Sequence, residues 1–299
     1  MVAGMHWRTK LLTQKATAAL PRWLGDPLYH ALQQARGLQP NCLTHHNFVM
    51  RCEALLCQLS GGGLAGKTVV ELGSGWFPLT PLTLTCLGAR EVLSFDLHEH
   101  YSRGRIAAAA RALMRFDAPF ARQPLLLDVA STGRLPPAIQ YYPRTDITAA
   151  NVLANRRIDL ALSRAVLEHV EPAAIVKIHE TSHRWLAPDG NWIHLISPSD
   201  HRAYTDKSLH LVDFLRYSDQ EWRELAGNRF AYHNRLRRPQ FVELFEAAKW
   251  KIVKQEFSAP PSVLHSVAGV PIHADFQRLA PEDLVASSLW FVLGARSEA

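Results

Sequence analysis

From Lys67 onward, short apolar runs alternate with stretches of helical periodicity, and this alternation limits the fold more tightly than any other feature. Strands are predicted at 68–72, 91–96, 138–142, 158–163 and 192–196. Helices are predicted between them at about 79–87, 102–116 and 172–186, the last opened by Glu171-Pro172. Such an order demands a parallel sheet covered on both faces, since each crossover helix must lie on one face or the other. A further helix at about 239–249 leads to two late strands, 251–257 and 289–295. The stretch from Ser199 to Arg238 is too long for a plain connection, so an inserted cap is expected over about 199–238.

The first 66 residues have a different, helical texture and are expected to form a separate N-terminal segment, 1–66, ahead of a main domain at 67–299. Asp26-Pro27 offers an N-cap followed by proline at the first helical position, and Gly37 offers a close, which predicts a helix over 27–36. Phe48, Cys52, Leu55, Leu56 and Leu59 recur at helical spacing before Gly61-Gly62-Gly63 stops the run. Six basic residues stand against two acids in this segment, most of the net charge of +6. A basic head can attract nucleic acid or an anionic membrane surface. No RNA-binding module or aromatic–basic signature accompanies it, so nucleic acid is not an expected partner, and at most a weak membrane-surface association is.

Composition excludes other classes. A 47% hydrophobic and 20% charged chain of 299 residues can bury a core without staples. No apolar run approaches the roughly 20 residues of a membrane span. Four cysteines without a C-x-x-C pair suit reduced thiols, hence a cytoplasmic protein.

Two glycine motifs compete. Residues Gly61 to Thr68 match G-x-x-x-x-G-K-[ST], but a helix precedes the match and a strand follows it. That order is inverted for a phosphate loop, which needs a strand before and a helix N-terminus after. The next loop has the right order: Val69-Val70-Glu71-Leu72-Gly73-Ser74-Gly75 runs from a buried strand toward a helix. Gly73 and Gly75 let backbone approach a ligand closely. About twenty residues later the second strand ends in Asp96, placed to accept both hydroxyls of a ribose. The pair implies an adenosine-containing cofactor. A dinucleotide loop would carry a third glycine where Pro78 stands.

At these residues the chain resembles the class I S-adenosylmethionine-dependent methyltransferases. Glu71-Leu72-Gly73-Ser74-Gly75 is similar to their first motif, and Ile158 to Ser163 followed by Val166-Leu167-Glu168-His169-Val170 to their fourth strand and the segment after it. Leu186-Ala187-Pro188-Asp189-Gly190 resembles their turn before the fifth strand. The resemblance covers about 67–198 and 239–296 and implies an α/β, doubly wound, Rossmann-like seven-stranded sheet with an antiparallel C-terminal strand. It implies S-adenosyl-L-methionine as cofactor, with Gly73, Ser74 and Gly75 against it, Glu71 ordering the loop, Asp96 on the ribose and Leu97 on the adenine. Asp146 would accept from the adenine amino group, with Asp128 the rival if the third strand lies earlier, and Ser163 would face the transferred methyl. Phe77 stands where many members have a further glycine, so Trp76 and Phe77 are expected to hold this loop by packing.

A hydroxyl acceptor needs a base or a metal. Titratable groups concentrate in the insertion, where His201, with Asp200 beside it, is the first candidate base and His233 the second. His169 is expected to pack within its helix. Trp222, Phe230 and Tyr232 are candidates for an acceptor wall, although such spacing also suits a core. Asp96-Leu97-His98-Glu99-His100 and Asp200-His201 with Asp206 and His210 carry ligand types without a zinc spacing, so no metal site is assigned. The cap itself, through Phe214-Leu215-Arg216, Glu221-Trp222 and Asn228 to Leu236, resembles that of little-characterised bacterial methyltransferases, which implies a small-molecule or glycan hydroxyl as acceptor. The alternatives are an RNA or protein methyltransferase, N-methylation of a small amine, a non-catalytic cofactor-binding module and a nicotinamide oxidoreductase.

Overall fold

The computed structural model describes residues 6–35 and 38–295. Its sheet contains β1 (Thr68–Leu72), β2 (Glu91–Phe95), β3 (Ile139–Tyr142), β4 (Ile158–Arg164), β5 (Leu186–Ile196), β6 (Trp250–Ser258) and β7 (Ser288–Ala295), in the order β3-β2-β1-β4-β5-β7-β6. The first five strands are parallel, and β7 runs antiparallel to both β5 and β6. The seven-stranded sheet with its antiparallel C-terminal strand is thus present. β5 begins earlier than the sequence suggests. The 186–190 turn is drawn into the strand by a register shift between Ile158 and Leu160 of β4.

The helices are α1 (Trp7–Ala19), α2 (Arg22–Ala35), α3 (Cys42–Ser60), α4 (Leu79–Cys86), α5 (Arg103–Met114), α6 (Pro124–Thr132), α7 (Pro172–Ser182), α8 (Asp219–Ala226), α9 (Arg238–Ala247), α10 (Pro261–Ser266) and α11 (Pro281–Val285). Strand residues alternate in facing, and the two faces bury different helices. Val69, Val92 and Leu160 join one core with Phe48, Cys52 and Leu55 of α3, Leu82 of α4, Leu113 of α5 and Leu126 of α6. Val70, Leu93 and Ala161 join the other with Ile175 of α7 and Phe241 and Phe245 of α9. So α3 is part of one sheet layer. Leu59, expected on its apolar stripe, is 39% exposed.

The sequence misplaces one helix start. α2 begins at Arg22 and runs through Pro27, so Asp26-Pro27 is not its start. Asp26 is instead ion-paired with Arg229 at 3.0 Å, a tertiary contact that overrides its local capping preference. The expected close at Arg36 and Gly37 lies outside the described residues. The stretch holding Asp128 is helix α6, opened by Pro124 and closed by Gly133 in the left-handed conformation, so Asp146 follows β3 and Asp128 does not.

The insertion after β5 does not stand alone. Val212, Phe214, Leu215, Trp222 and Ala226 share a third core with Phe276, Leu284 and Val285 from the β6–β7 connection. Two wholly buried arginines tie these parts to the sheet. Arg235 donates to the carbonyls of Phe214 and Tyr217, and Arg237 to those of Pro198 and Leu284. The helical head closes on the same cap: Trp7 N–H donates to Asp206, Gln14 to the Phe230 carbonyl, and the rings of Tyr29 and Phe230 stack at 4.1 Å. Among the described residues no helix is long and apolar enough to cross a membrane.

Candidate active site

The loops after the parallel strands open into one cavity of about 850 Å³, roofed by α1, α2 and the cap. Gly73, Ser74 and Gly75 leave β1 at its floor. Gly73 has φ +82° and donates its N–H to the Phe95 carbonyl at 2.8 Å, and a Cβ there would lie 2.3 Å from a methyl of Val166. Only glycine fits both the left-handed backbone and that approach. Gly75, φ +63°, has nothing within 4 Å of where its Cβ would be, so bare backbone faces the cavity. The next residues hold the loop by packing, as expected. Arg105 and His100 lie against the Trp76 ring, and Phe77 packs on the first core.

Asp96 stands at the end of β2 on the same floor, followed by Leu97, 67% exposed and facing the cavity. Glu71 is buried beneath, where its carboxyl accepts the Ser94 hydroxyl at 2.5 Å. Burial pushes its pKa up to about 8, against hydrogen bonds from Ser94 and Thr80 that pull the other way. It is therefore protonated at neutral pH and braces the loop as a neutral group. Asp146 also lines the cavity, one oxygen accepting from the Thr148 backbone and hydroxyl at 2.8 Å.

Ser163 does not reach this site. It is wholly buried, 2.8 Å from His194 Nδ1, in a chain that continues through His194 Nε2 to His179 Nε2 at 3.0 Å and from His179 Nδ1 to the Ile175 carbonyl at 2.7 Å. The carbonyl can only accept, which makes His179 Nδ1 the donor, His194 Nε2 the next donor and the Ser163 hydroxyl the last. The strand pleat turns Ser163 toward the helices while its neighbour Arg164 faces the cavity.

The cap brings three histidines together. The ring of His201 lies 5.0 Å from that of His169 and 4.8 Å from that of His233. All three line the cavity, so His169 is not a packing residue. Nε2 of His201 and Nε2 of His233 are buried without a hydrogen-bond partner. Burial, reinforced by neighbouring imidazoles, lowers His201 to about 3 and His233 well below its usual range, and burial also lowers His169. The cluster is neutral at physiological pH. Asp200 does not orient His201: its carboxylate is held at 2.7 Å by Arg202, which also reaches Asp213 at 3.1 Å. Beneath the histidines, wholly buried Glu168 accepts the Ser197 N–H at 3.2 Å through Oε1, and its Oε2 has no partner. Burial raises its pKa to about 8. The sequence expectation makes His169 a packing residue and gives Glu168 no role, although Glu-His directly after the fourth strand is the available signal. Trp222, Phe230 and Tyr232 wall the cavity.

No family model matches the chain, and no curated protein matches it. Solved structures do. An S-adenosylmethionine-dependent methyltransferase from Leishmania major is 12% identical at a TM-score of 0.46, over 96% of this chain and 82% of its own. Magnesium protoporphyrin IX methyltransferase from Synechocystis, with bound S-adenosylhomocysteine, is 12% identical at 0.47, over 85% and 84%. An S-adenosylmethionine-dependent methyltransferase from Mesorhizobium loti is 16% identical at 0.44, over 77% and 91%. The sheet order itself, with β7 alone reversed, defines the fold as that of the class I S-adenosylmethionine-dependent methyltransferases. On this fold the chain carries a roof of α1 and α2 and a cap whose His201 and His233 meet His169.

Proposed function

We propose that this protein is a methyltransferase that uses S-adenosyl-L-methionine to methylate a hydroxyl group of a small molecule, a sugar or glycan hydroxyl being the favoured acceptor. The observation that carries the proposal is the single cavity shared by the glycine loop with Asp96 at one end and the neutral histidines at the other. The residues fit the cofactor. Gly75 offers backbone unobstructed by any Cβ, Asp96 follows the neighbouring strand on the same floor, and Asp146 and Leu97 line the same cavity, which supports a nucleoside there. Bound there, the sulfonium supplies an already activated methyl group.

The protein's work is then alignment, water exclusion and proton removal. The roof of α1 and α2 and the walls Trp222, Phe230 and Tyr232 shield the acceptor. Alignment of nucleophile and methyl contributes on the order of 7–11 kcal/mol. As the oxygen–carbon bond forms and the sulfur–carbon bond breaks, the hydroxyl proton passes to His201 or His233, whose bare Nε2 atoms are free to take it. Asp200 serves to fix the cap through Arg202. Free Cys42, Cys52, Cys57 and Cys86 suit a reducing, cytoplasmic setting.

Mass spectrometry of a cell extract incubated with the protein and deuterated-methyl cofactor tests the proposal. Label on a small-molecule hydroxyl is expected. Label confined to RNA, protein or an amine would replace this acceptor class.

A further inference from the structure

We infer that Glu168, His169 and His201 form a binding site for a divalent transition-metal ion of the zinc class. Their ligating atoms all lie within 4.8 Å of one another, although the three residues come from the turn after β4 and the loop after β5. Small side-chain rotations bring such a set to the roughly 2.0–2.2 Å bonds that zinc requires. Two imidazoles and one carboxylate form the donor set of catalytic zinc and related ions, and imidazole disfavours magnesium.

Three further observations point to a ligand. Glu168 Oε2 is fully buried with no partner, and so is His201 Nε2. A buried carboxyl oxygen left bare is costly unless something charged or hydrogen-bonding meets it. The remaining donors are already oriented from behind. His169 Nδ1 lies 2.8 Å from the Tyr232 carbonyl, which fixes the proton on Nδ1 and leaves Nε2 as a lone-pair donor. Glu168 Oε1 is held by the Ser197 N–H, leaving Oε2 for the ion. The site also has an open side, because His169 and His201 face the cavity.

The role of the ion rests on the methyltransferase reading; its binding does not. In that role the ion takes the acceptor oxygen as a further ligand and lowers its pKa. His233, outside the ligand set with its ring 4.8 Å from that of His201, receives the proton. The methyl group moves to the oxygen, and the electron pair of the broken bond stays on sulfur.

The test is a titration of chelator-stripped full-length protein, without cofactor, with Zn²⁺, Co²⁺ and Mg²⁺, followed by calorimetry and by the visible spectrum of the Co²⁺ form. About one Zn²⁺ or Co²⁺ per chain is expected, with a ligand-field spectrum of low symmetry. Affinity should fall at least roughly tenfold in Glu168→Gln and in His201→Ala and hold in His233→Ala. Because Glu168→Gln alters a buried site, its fold is checked by circular dichroism, and the Co²⁺ spectrum of the unaltered protein stands without any variant. Absence of Zn²⁺ and Co²⁺ binding, binding of Mg²⁺ alone, or binding indifferent to both variants overturns the site. Cofactor binding measured separately reports on the methyltransferase reading, so the two failures are distinguishable.

Discussion

Ser74 gives both its backbone N–H and its hydroxyl to one oxygen of Asp96, at 2.9 and 3.1 Å. The other oxygen takes the His98 N–H at 2.8 Å. Burial pushes this carboxyl's pKa up, but hydrogen bonding and charge from His100, with the His98 amide and Ser74, outweigh it and hold the group below its usual value. The glycine loop and the second strand are thereby locked together around an anion. A carboxylate has about four acceptor sites, and Ser74, His98 and His100 already engage them, so a ribose hydroxyl would have to displace one of these donors, His100 at 3.5 Å being the most weakly held.

Asp96→Ala is therefore expected to weaken S-adenosylmethionine binding by about tenfold or more, roughly the loss of a charge-assisted hydrogen bond. Calorimetric titration measures it. Unchanged affinity would mean that another group holds the ribose.

Gly73→Ala should damage both fold and binding. The left-handed backbone alone costs about 1–2 kcal/mol for a residue with a Cβ, and the methyl would press into Val166 at 2.3 Å. A lower melting temperature together with weakened cofactor binding is expected. Gly75→Ala meets no such wall, so it should disturb folding less and binding selectively.

Stability should peak near neutral pH. His179 and His45 are lowered by burial to about 4 and about 3, and His194 also titrates well below its unfolded value of 6.5. The unfolded chain thus binds more protons below pH 6.5, and stability is lost as pH falls from there toward 4. Glu71, raised from 4.5 to about 8, acts oppositely: the folded chain holds its proton, and stability falls as pH rises from 4.5 to 8. Melting curves across pH 4–9 check both limbs. Glu168, raised to about 8 by burial as well, shares this limb, so Glu71→Gln should make it shallower rather than abolish it, and a limb of unchanged slope would show that Glu71 is ionised when folded.

Arg229→Ala should loosen the roof with little effect on the sheet. Its guanidinium binds Asp26 and the carbonyls of Thr17, Ala18 and Leu20 at the end of α1. Hydrogen bonds to a charged group contribute about 1.5–3 kcal/mol. Faster amide exchange confined to α1 and α2 is the expected signature, and uniform exchange would contradict it.

His201→Ala is expected to leave cofactor affinity nearly intact while slowing turnover at least tenfold, within the usual range for a lost proton-transfer or metal-ligand contribution. Steady-state kinetics with the acceptor found by mass spectrometry would show it as a loss in kcat.

The strands and crossover helices were legible because their signals are local. Alternating apolar runs require a covered parallel sheet, and a glycine pair between strand and helix followed by an acid one strand later is a contiguous pattern. The sequence already prefers Asp146, but only the helix α6 removes Asp128 as a rival, since Leu125 to Val129 suits a strand or a helix equally well by periodicity. The facing of Ser163 depended on one step of strand pleat that its sequence does not encode.

By itself, the sequence determined the order of layers and the glycine loop that leaves β1 into the cavity, since hydrophobic period and backbone freedom are properties of neighbours in the chain. Tertiary structure alone decided that Asp200 serves Arg202, that α1 and α2 form a roof, and that Glu168, His169, His201 and His233 meet. The reason is physical. Burial and the approach of groups from distant segments set the charge state and partners of each side chain, and neither can be computed from residues adjacent in sequence.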